Sequence, residues 1–224
     1  MNPQDRSQLY GYADGSAFAG ESAEAIFTRI ARSNFWGEPE SRSGYGSSLE
    51  QTRKLIAELP ALWRHLGVQH LLDAPCGDFH WMQHTDLSGI RYTGGDLVAA
   101  LAEANERQYA AEHIRFRQLD LMEDELGSHD LLFCRDCLVH LSFGDIGRVL
   151  RNLKRSGIRY FMCTTFPGEP VNRDIQTGGW RPLNFSLPPF SFPEPLLLLN
   201  EGCTEMDGAF ADKSLGVWQV SSLP

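Results

Sequence analysis

The chain has 224 residues, of which 42% are hydrophobic and 22% are charged, and its formal net charge at pH 7 is −9. This length suits one α/β domain with a buried core, so a disordered chain is not expected. The acidic balance argues against a protein that grips nucleic acid through a broad basic surface, and a nucleic-acid partner is not expected.

The sequence also bears on location and metal binding. It contains no run of about 20 apolar residues, the length that a membrane span requires, and no basic region followed by an apolar core at the N-terminus. The odd number of cysteines argues against a disulfide framework and for a reducing compartment, so we expect a cytoplasmic protein. Cys134 and Cys137 form a C-x-x-C pair, but two further zinc ligands at suitable spacing are missing, and no metal is expected.

Residues 1–66 are interpreted as an N-terminal helical extension or cap, and residues 67–224 as the main domain. Residues 1–20 are polar and glycine-rich and are expected to be poorly ordered. Ser22 is placed to cap a first helix with Ile26 and Ile30 on one face. A second helical pattern follows and ends at Gly67.

After residue 67, short apolar runs alternate with helical patterns. The runs are residues 69–73, 91–96, 114–120, 130–135 and 159–165, with helices predicted at 79–84, 98–109 and 142–155. Strands that alternate with helices and are apolar throughout indicate a parallel sheet that is covered on both faces. Two later runs, residues 196–200 and 215–221, are predicted to form an antiparallel pair at the sheet edge.

A long segment, residues 167–195, separates these two groups of strands and contains seven prolines. Loops of this length are usually functional or disordered, and the aromatic residues here favour order. Its hydrogen-bonding groups and large aromatic side chain suit a polar ligand such as a sugar ring stacked on an indole. A phosphorylated metabolite and a purely structural lid are alternatives. The candidate substrate-binding residues of this predicted covering loop are Asn172, Asp174, Trp180 and Arg181.

Acidic residues follow successive predicted strands, at the edge where open α/β sheets bind ligands. The first run ends in residues 73–78, Asp-Ala-Pro-Cys-Gly-Asp, a turn of small residues that lets the backbone approach a ligand closely. Asp96 ends the second run, about 20 residues later, where a carboxylate can accept hydrogen bonds from ribose hydroxyls. Asp120 and Leu121 follow the third run, where an adenine can lie. Carboxylates beside the first turn would repel a pyrophosphate, whereas an ammonium and a sulfonium fit there.

Residues 69–165 resemble class I S-adenosylmethionine-dependent methyltransferases. Residues 73–78 are similar to the first motif of that family, usually acidic-x-G-x-G-x-G, although Pro75 replaces the first glycine and Asp78 the third. Asp96 matches the ribose-binding acid of the family and Asp120 its adenine-side acid, and residues 137–141 resemble the segment after its fourth strand. The resemblance implies a Rossmann-like α/β fold with a mostly parallel seven-stranded sheet, helices on both faces and an antiparallel C-terminal hairpin.

The resemblance also implies S-adenosyl-L-methionine as the cofactor. In similar enzymes a basic residue of the N-terminal extension can meet the methionyl carboxylate, which Arg42 would do as a bidentate pair; the alternative is a solvated loop arginine. The expected cofactor-binding residues are Arg42, Asp73, Pro75, Cys76, Gly77, Asp78, Asp96, Leu97, Asp120, Leu121 and Arg135.

A hydroxyl acceptor needs a base to remove its proton. His140 is the first candidate because its unperturbed pKa of about 6.5 suits that role, and Asp136 is the second. The alternative for His140 is a structural role, as a helix cap or a satisfied core residue.

The leading hypothesis is a methyltransferase that acts on a small polar molecule or carbohydrate, by O-methylation. A nucleic-acid N-methyltransferase would be expected to carry Asn-Pro-Pro-aromatic after the fourth strand, where this chain has residues 135–137, Arg-Asp-Cys. A protein methyltransferase is a further alternative. A nicotinamide-dependent oxidoreductase would need the glycine fingerprint that is absent here. A cofactor-binding module that regulates a partner without catalysis is the alternative from another class.

Overall fold

The structure, a computed structural model, describes residues 14–224. The expectation of poor order for residues 1–20 therefore falls partly on residues 1–13, outside the described part. For residues 14–20 the expectation was wrong. Residues Ser16–Phe18 form a 3-10 turn, and Phe18 is buried with Ile26 and Ile30 of the first helix. Burial of this aromatic ring gives the short segment its fixed position.

Seven strands form one sheet in the order β3-β2-β1-β4-β5-β7-β6. They are β1 (His70–Asp73), β2 (Arg91–Asp96), β3 (Ile114–Gln118), β4 (Leu131–Cys134), β5 (Tyr160–Thr165), β6 (Leu197–Asn200) and β7 (Ser214–Gln219). The first five strands pair in parallel, and β7 pairs antiparallel with both β5 and β6. The predicted fold class is thereby confirmed.

The helices are α1 (Ala23–Ser33), α2 (Leu49–Leu66), α3 (Ala99–Tyr109), α4 (Phe143–Ser156) and the single turn α5 (Glu205–Gly208). Further 3-10 turns lie at Tyr45–Ser47, Met82–His84, Leu138–His140 and Val220–Ser222. A serine begins each of three helices: Ser22, Ser48 and Ser142 accept a hydrogen bond from the backbone N–H three residues later. Such caps satisfy an otherwise unpaired donor of the first turn. Within residues 14–224, no helix has the length and apolar character needed to cross a membrane.

The core lies in two layers because successive strand residues point to opposite faces of the sheet. On one face α2 packs its buried residues, among them Leu59 and Trp63, against the odd-numbered residues of β1 and β4. On the other face α4 packs Ile146 and Leu153 against the even-numbered residues. Residues 49–66 therefore share the core of the sheet.

The prediction of a helix at residues 79–84 was wrong, since only the turn Met82–His84 forms. Phe79 has a φ of 58°, in the left-handed region, which does not continue a right-handed helix. Its ring is buried against Tyr92 and Phe116, with centroids 5.2 and 4.9 Å away. This aromatic packing fixes the backbone in a conformation that local helix propensity would not choose.

Candidate functional site

A cavity opens at the carboxyl edge of the sheet, between the strand ends and residues 22–48, here called the N-terminal arm. Its empty volume, including the solvent space at its open mouth, is about 1200 Å³. All the predicted cofactor-binding residues and both predicted catalytic residues line it: Arg42, Asp73, Pro75, Cys76, Gly77, Asp78, Asp96, Leu97, Asp120, Leu121, Arg135, Asp136 and His140. The structure thus brings together side chains that are up to 98 positions apart in the sequence.

The loop after β1 is fixed against the end of β2. The Cys76 amide donates to the Gly95 carbonyl (2.8 Å), and the Gly77 amide donates to Oδ2 of Asp96 (3.0 Å). The other oxygen of Asp96, Oδ1, accepts the Val98 amide at 2.9 Å. Gly77 has a φ of 56°, and a Cβ there would lie 2.1 Å from the Ser43 hydroxyl oxygen. Glycine is therefore required where the loop and the arm meet.

Burial shapes the electrostatics of the carboxylates at this edge. Desolvation raises the pKa of Asp96 to about 6 and that of Asp73 to about 7, although the Tyr92 hydroxyl donates to Asp73 at 2.5 Å. Desolvation also raises the pKa of Asp120, whose Oδ1 accepts the Met122 amide at 2.8 Å. Because burial penalises the ionised form, a cationic ligand beside these carboxyl groups would favour their ionisation and would itself be stabilised.

Asp78 connects the N-terminal arm to the loop after β1. Its Oδ2 accepts the Arg42 amide at 2.7 Å, and its Oδ1 accepts the Ser41 hydroxyl at 3.0 Å. The Arg42 side chain is exposed at the cavity, and its guanidinium has no ion-pair partner among residues 14–224. It is thus placed where it can pair with a carboxylate of a ligand.

A buried charge cluster lies just after β4. Arg135 donates from Nε and Nη2 to Oε2 of Glu201 (3.1 and 2.8 Å) and from Nη2 to the Gly46 carbonyl (2.7 Å). Lys213 Nζ lies 2.6 Å from Oδ2 of Asp136. Burial works to raise the pKa of Asp136, but Lys213 and Arg135 outweigh it and lower this pKa to about 2. Asp136 therefore stays ionised and is a weak proton acceptor.

Asp136 also has an unusual backbone. Its φ is 50°, in the left-handed region that residues with a Cβ seldom adopt. Its amide donates to the Thr164 hydroxyl at 2.8 Å, and its carboxylate is fixed by Lys213. Strained positions that are over-determined by their surroundings concentrate at functional sites.

The hydrogen bond and the burial of His140 determine its tautomer and its charge. Its Nδ1 lies 2.8 Å from the Gly179 carbonyl, and because a carbonyl only accepts, Nδ1 carries the proton. Burial lowers the pKa of His140 to about 4, so the ring is neutral at pH 7. In that tautomer Nε2 has an open lone pair, and Nε2 has no hydrogen-bond partner among the residues described.

The predicted substrate-binding residues do not reach the cavity, and no residue of 167–195 lines it. Asn172 donates from Nδ2 to the Asn184 carbonyl and accepts the Asn184 amide at 2.9 Å. Oδ1 of Asp174 accepts the Phe143 amide at 2.7 Å, in the first turn of α4. These polar groups satisfy the backbone of the chain itself, and the residues predicted to bind substrate lie outside the cavity.

The two larger side chains of that prediction are also used structurally. The ring of Trp180 packs against Phe210 with centroids 5.0 Å apart. Arg181 is 1% exposed and donates to the carbonyls of Leu138 (2.8 Å) and Leu141 (2.6 Å), on either side of His140. Segment 167–195 therefore supports residues 135–142, the β4–α4 loop, on the side that faces away from the cavity.

Solved structures provide the comparison with known proteins, since no protein-family model and no curated protein matches the chain. Mitomycin 7-O-methyltransferase is similar with a TM-score of 0.63 and 17% identity, over 96% of this chain and 65% of that one. The 1,6-didemethyltoxoflavin N1-methyltransferase of Burkholderia thailandensis is similar with a TM-score of 0.59 and 18% identity, over 90% of this chain and 92% of that one. Human N-acetylserotonin methyltransferase is similar with a TM-score of 0.57 and 13% identity, over 96% of this chain and 64% of that one. The chain has a methyltransferase fold.

Sequence reasoning missed part of this methyltransferase-fold cavity. The N-terminal arm contributes a wall of Phe27, Ile30, Ala31 and Trp36, here called the arm wall. Phe27 lies beside Ile26 and Ile30, the buried residues of α1. This apolar stripe indicates that the same face of the helix packs against apolar surface. Sequence reasoning also missed Glu201 and Lys213, which do not line the cavity but form ion pairs with Arg135 and Asp136. Glu201 follows β6 and Lys213 precedes the antiparallel β7, so both lie at the edge where β4 ends.

Proposed function

We propose that the protein is an S-adenosylmethionine-dependent methyltransferase that acts on a hydroxyl group of a small molecule. One observation carries the proposal: carboxylates from the ends of β2 and β3, a tight glycine turn after β1 and a histidine after β4 line one cavity. Since β3, β2, β1 and β4 are neighbours in that order, these groups are spread over three strand spacings, about 14 Å. That span suits a ligand made of a nucleoside joined to an amino acid.

The donors and acceptors in the cavity fit S-adenosylmethionine. Each oxygen of Asp96 accepts one backbone N–H, which leaves further lone pairs for ribose hydroxyls. Oδ2 of Asp120 has no hydrogen-bond partner among the residues described and can accept an adenine amine. Leu97, Leu121 and other apolar side chains surround this end. Asp73 and Asp78 suit the positive charges, and Arg42 the carboxylate.

The residues near β4 would carry the chemistry. When bound, S-adenosylmethionine would supply an electrophilic methyl group to an acceptor oxygen and would leave as the neutral thioether. Nε2 of His140 would take the hydroxyl proton, because the Gly179 carbonyl keeps Nδ1 protonated. Asp136 would stay ionised beside it and orient the acceptor. The arm wall would exclude water from the reacting groups.

The comparisons support the cofactor and the methyl transfer in this proposal, while the similar enzymes act on nitrogen as well as on oxygen. The mitomycin enzyme is named as an O-methyltransferase, the human enzyme was solved with S-adenosylmethionine and the toxoflavin enzyme with S-adenosylhomocysteine. The carbohydrate version of the sequence hypothesis rested on residues 172–181, whose side chains lie away from the cavity, so the acceptor is proposed only as a small molecule.

Calorimetry with S-adenosylhomocysteine and, separately, NADH tests the cofactor. We expect binding of the first and none of the second; binding of NADH alone would contradict the proposal. Asp96→Ala should weaken S-adenosylhomocysteine binding at least tenfold, about 1.4 kcal/mol, since a charged hydrogen-bond acceptor is lost. Asp130→Ala is the matched control, because Asp130 also accepts two backbone amides but at the opposite edge of the sheet. Equal affinity of both variants would remove Asp96 from the site.

A further inference from the structure

The end of the cavity at β4 differs in character from the end at β2 and β3. At β2 and β3 the carboxylates of Asp96 and Asp120 are combined with aliphatic side chains. At β4 the cavity is bounded by the arm wall, with two aromatic rings, and by His140. If the cofactor occupies the strand ends as proposed above, this second end is where the acceptor must lie.

The aromatic groups at this end are fixed in position. The Trp36 ring lies against the His140 ring with centroids 5.3 Å apart and an interplanar angle of 41°, and Phe27 approaches the same ring edge-on at 6.5 Å. Trp36 is supported from outside by Gly44, where a Cβ would lie 3.4 Å from Cβ of Trp36. Gly44 has a φ of 87°, so the arm needs glycine at this contact. Both aromatic side chains are only partly buried and remain accessible from the cavity.

Among the residues after β4 that line the cavity, the polar groups are Nε2 of His140, the Asp136 carboxylate, whose side chain is 27% exposed, and the Arg135 guanidinium, which already donates to Glu201 and to the Gly46 carbonyl. The arm adds Arg42 and the hydroxyls of Ser43 and Ser47. No charged residue of α1 lines the cavity; Arg29 pairs with Glu21, and Glu24 accepts a hydrogen bond from the Gln118 side-chain amide. A sugar ring would bring many hydroxyls to a site with few partners for them, and each buried hydroxyl without a partner is costly.

We propose that the acceptor is a planar aromatic small molecule that carries a hydroxyl group on its ring. This inference rests on the proposed methyltransferase function and adds the substrate class. The ring lies against Trp36 and Phe27, in the offset or edge-to-face arrangements that aromatic pairs prefer. Its hydroxyl donates to Nε2 of His140, which places the oxygen towards the cofactor end of the cavity. Asp136 accepts a second donor of the acceptor where one is present.

The test uses the full chain saturated with S-adenosylhomocysteine for binding, and with methyl-labelled S-adenosylmethionine for transfer. The aromatic probes are phenol, catechol, 1-naphthol and 5-hydroxyindole, and the sugar probes are glucose, galactose and rhamnose, all at millimolar concentration. We expect at least one aromatic probe to bind and to accept the methyl group. We expect no sugar to bind or to be methylated. Failure of every aromatic probe to bind the loaded protein overturns the inference, as does transfer to the sugars alone.

The variant Trp36→Leu sharpens the test. It should raise the dissociation constant or KM of the aromatic probe about tenfold, because a ring contact is lost, while the affinity for S-adenosylhomocysteine stays unchanged. Phe35→Leu is the matched control: Phe35 is 43% exposed, packs edge-on against Phe18 and does not line the cavity. An equal effect of both variants on the probe would contradict a specific role of Trp36.

The two proposals fail in different ways. If the wild-type chain does not bind S-adenosylhomocysteine, the proposed function itself is wrong. If it binds S-adenosylhomocysteine and methylates sugars, the methyltransferase function stands and only the aromatic acceptor is wrong.

Discussion

The N-terminal arm and segment 167–195 differ in what their aromatic side chains contact. Both lie outside the sheet, and both combine aromatic rings with hydrogen-bonding side chains. The arm directs Phe27 and Trp36 into the cavity. The segment buries Phe185 and Phe192 in the core, where their rings stack with centroids 5.0 Å apart and lie near Trp218.

The difference shows that a mixture of polar and aromatic residues does not by itself indicate a ligand site. In segment 167–195 the backbone runs beside the β4–α4 loop: the Gly178 amide donates to the His140 carbonyl (2.9 Å) and the Arg181 amide to the Val139 carbonyl (3.1 Å). Polar side chains complete this pairing, since buried backbone groups must find partners. The segment therefore positions His140 from behind, while the arm faces the same ring from the cavity side.

The largest expected effect tests the supporting role of the segment. Arg181→Ala should lower the free energy of unfolding by about 3 kcal/mol, because the buried carbonyls of Leu138 and Leu141 lose their donors. Urea denaturation followed by circular dichroism measures it. Arg151→Ala is the control, since Arg151 is exposed on α4 and should cost less than about 0.5 kcal/mol. Equal stability of the two variants would contradict the supporting role.

His140 is the residue that both regions contact, and its removal tests what they position. His140→Ala should reduce kcat about a hundredfold, the range expected for loss of a general base, with little change in S-adenosylhomocysteine affinity. Single-turnover methyl transfer to the best acceptor measures the effect. His84→Ala, at an exposed position, is the control.

The pH profile of the wild-type protein tests whether burial keeps the pKa of His140 low. A base acts unprotonated, so activity is lost as the pH falls through its pKa. Because burial lowers the pKa of His140 to about 4, kcat at saturating cofactor should stay level from pH 8 to well below 6.5. Because the pKa values of Asp73 and Asp96 are raised to about 7 and about 6, the cofactor must remain saturating at every pH, and a fall in kcat centred near 6.5 under that condition would contradict the assigned environment of His140.

The smallest effect tests whether the arm belongs to the cofactor site. Asp78→Ala should weaken S-adenosylhomocysteine binding about fivefold to tenfold, since the carboxylate that fixes Arg42 and Ser41 to the loop is removed. Asp174→Ala is a matched control, because Asp174 also accepts one backbone amide at 2.7 Å, outside the cavity. It should cost about 1 kcal/mol of stability, as the loss of a helix cap does, and leave binding unchanged. If both variants bound S-adenosylhomocysteine with similar affinity, the arm would not belong to the cofactor site.

Local sequence signals predicted the sheet edge well. The alternation of strands and helices restricts the topology, and the carboxyl ends of parallel strands meet at one edge. Asp73, Asp96 and Asp120 could therefore be placed in one cavity without knowing any side-chain position. The predicted strand at residues 91–96 agrees with β2, residue for residue.

Other parts followed from contacts between distant residues. Phe79 turns away from a helical conformation because its ring packs with Tyr92 and Phe116. Glu201 and Lys213 form one charge cluster with Arg135 and Asp136 only because β6 and β7 return to the edge where β4 ends.

The amino-acid order alone determined the doubly covered sheet and the acidic groups along its edge, because strand periodicity and residue type act over a few neighbouring positions. Only the tertiary structure decided which outer segment faces the cavity and which supports it. That choice depends on where each aromatic ring finds apolar surface and where each polar group finds a partner, and for Trp36 and Trp180 those partners are far away in the chain.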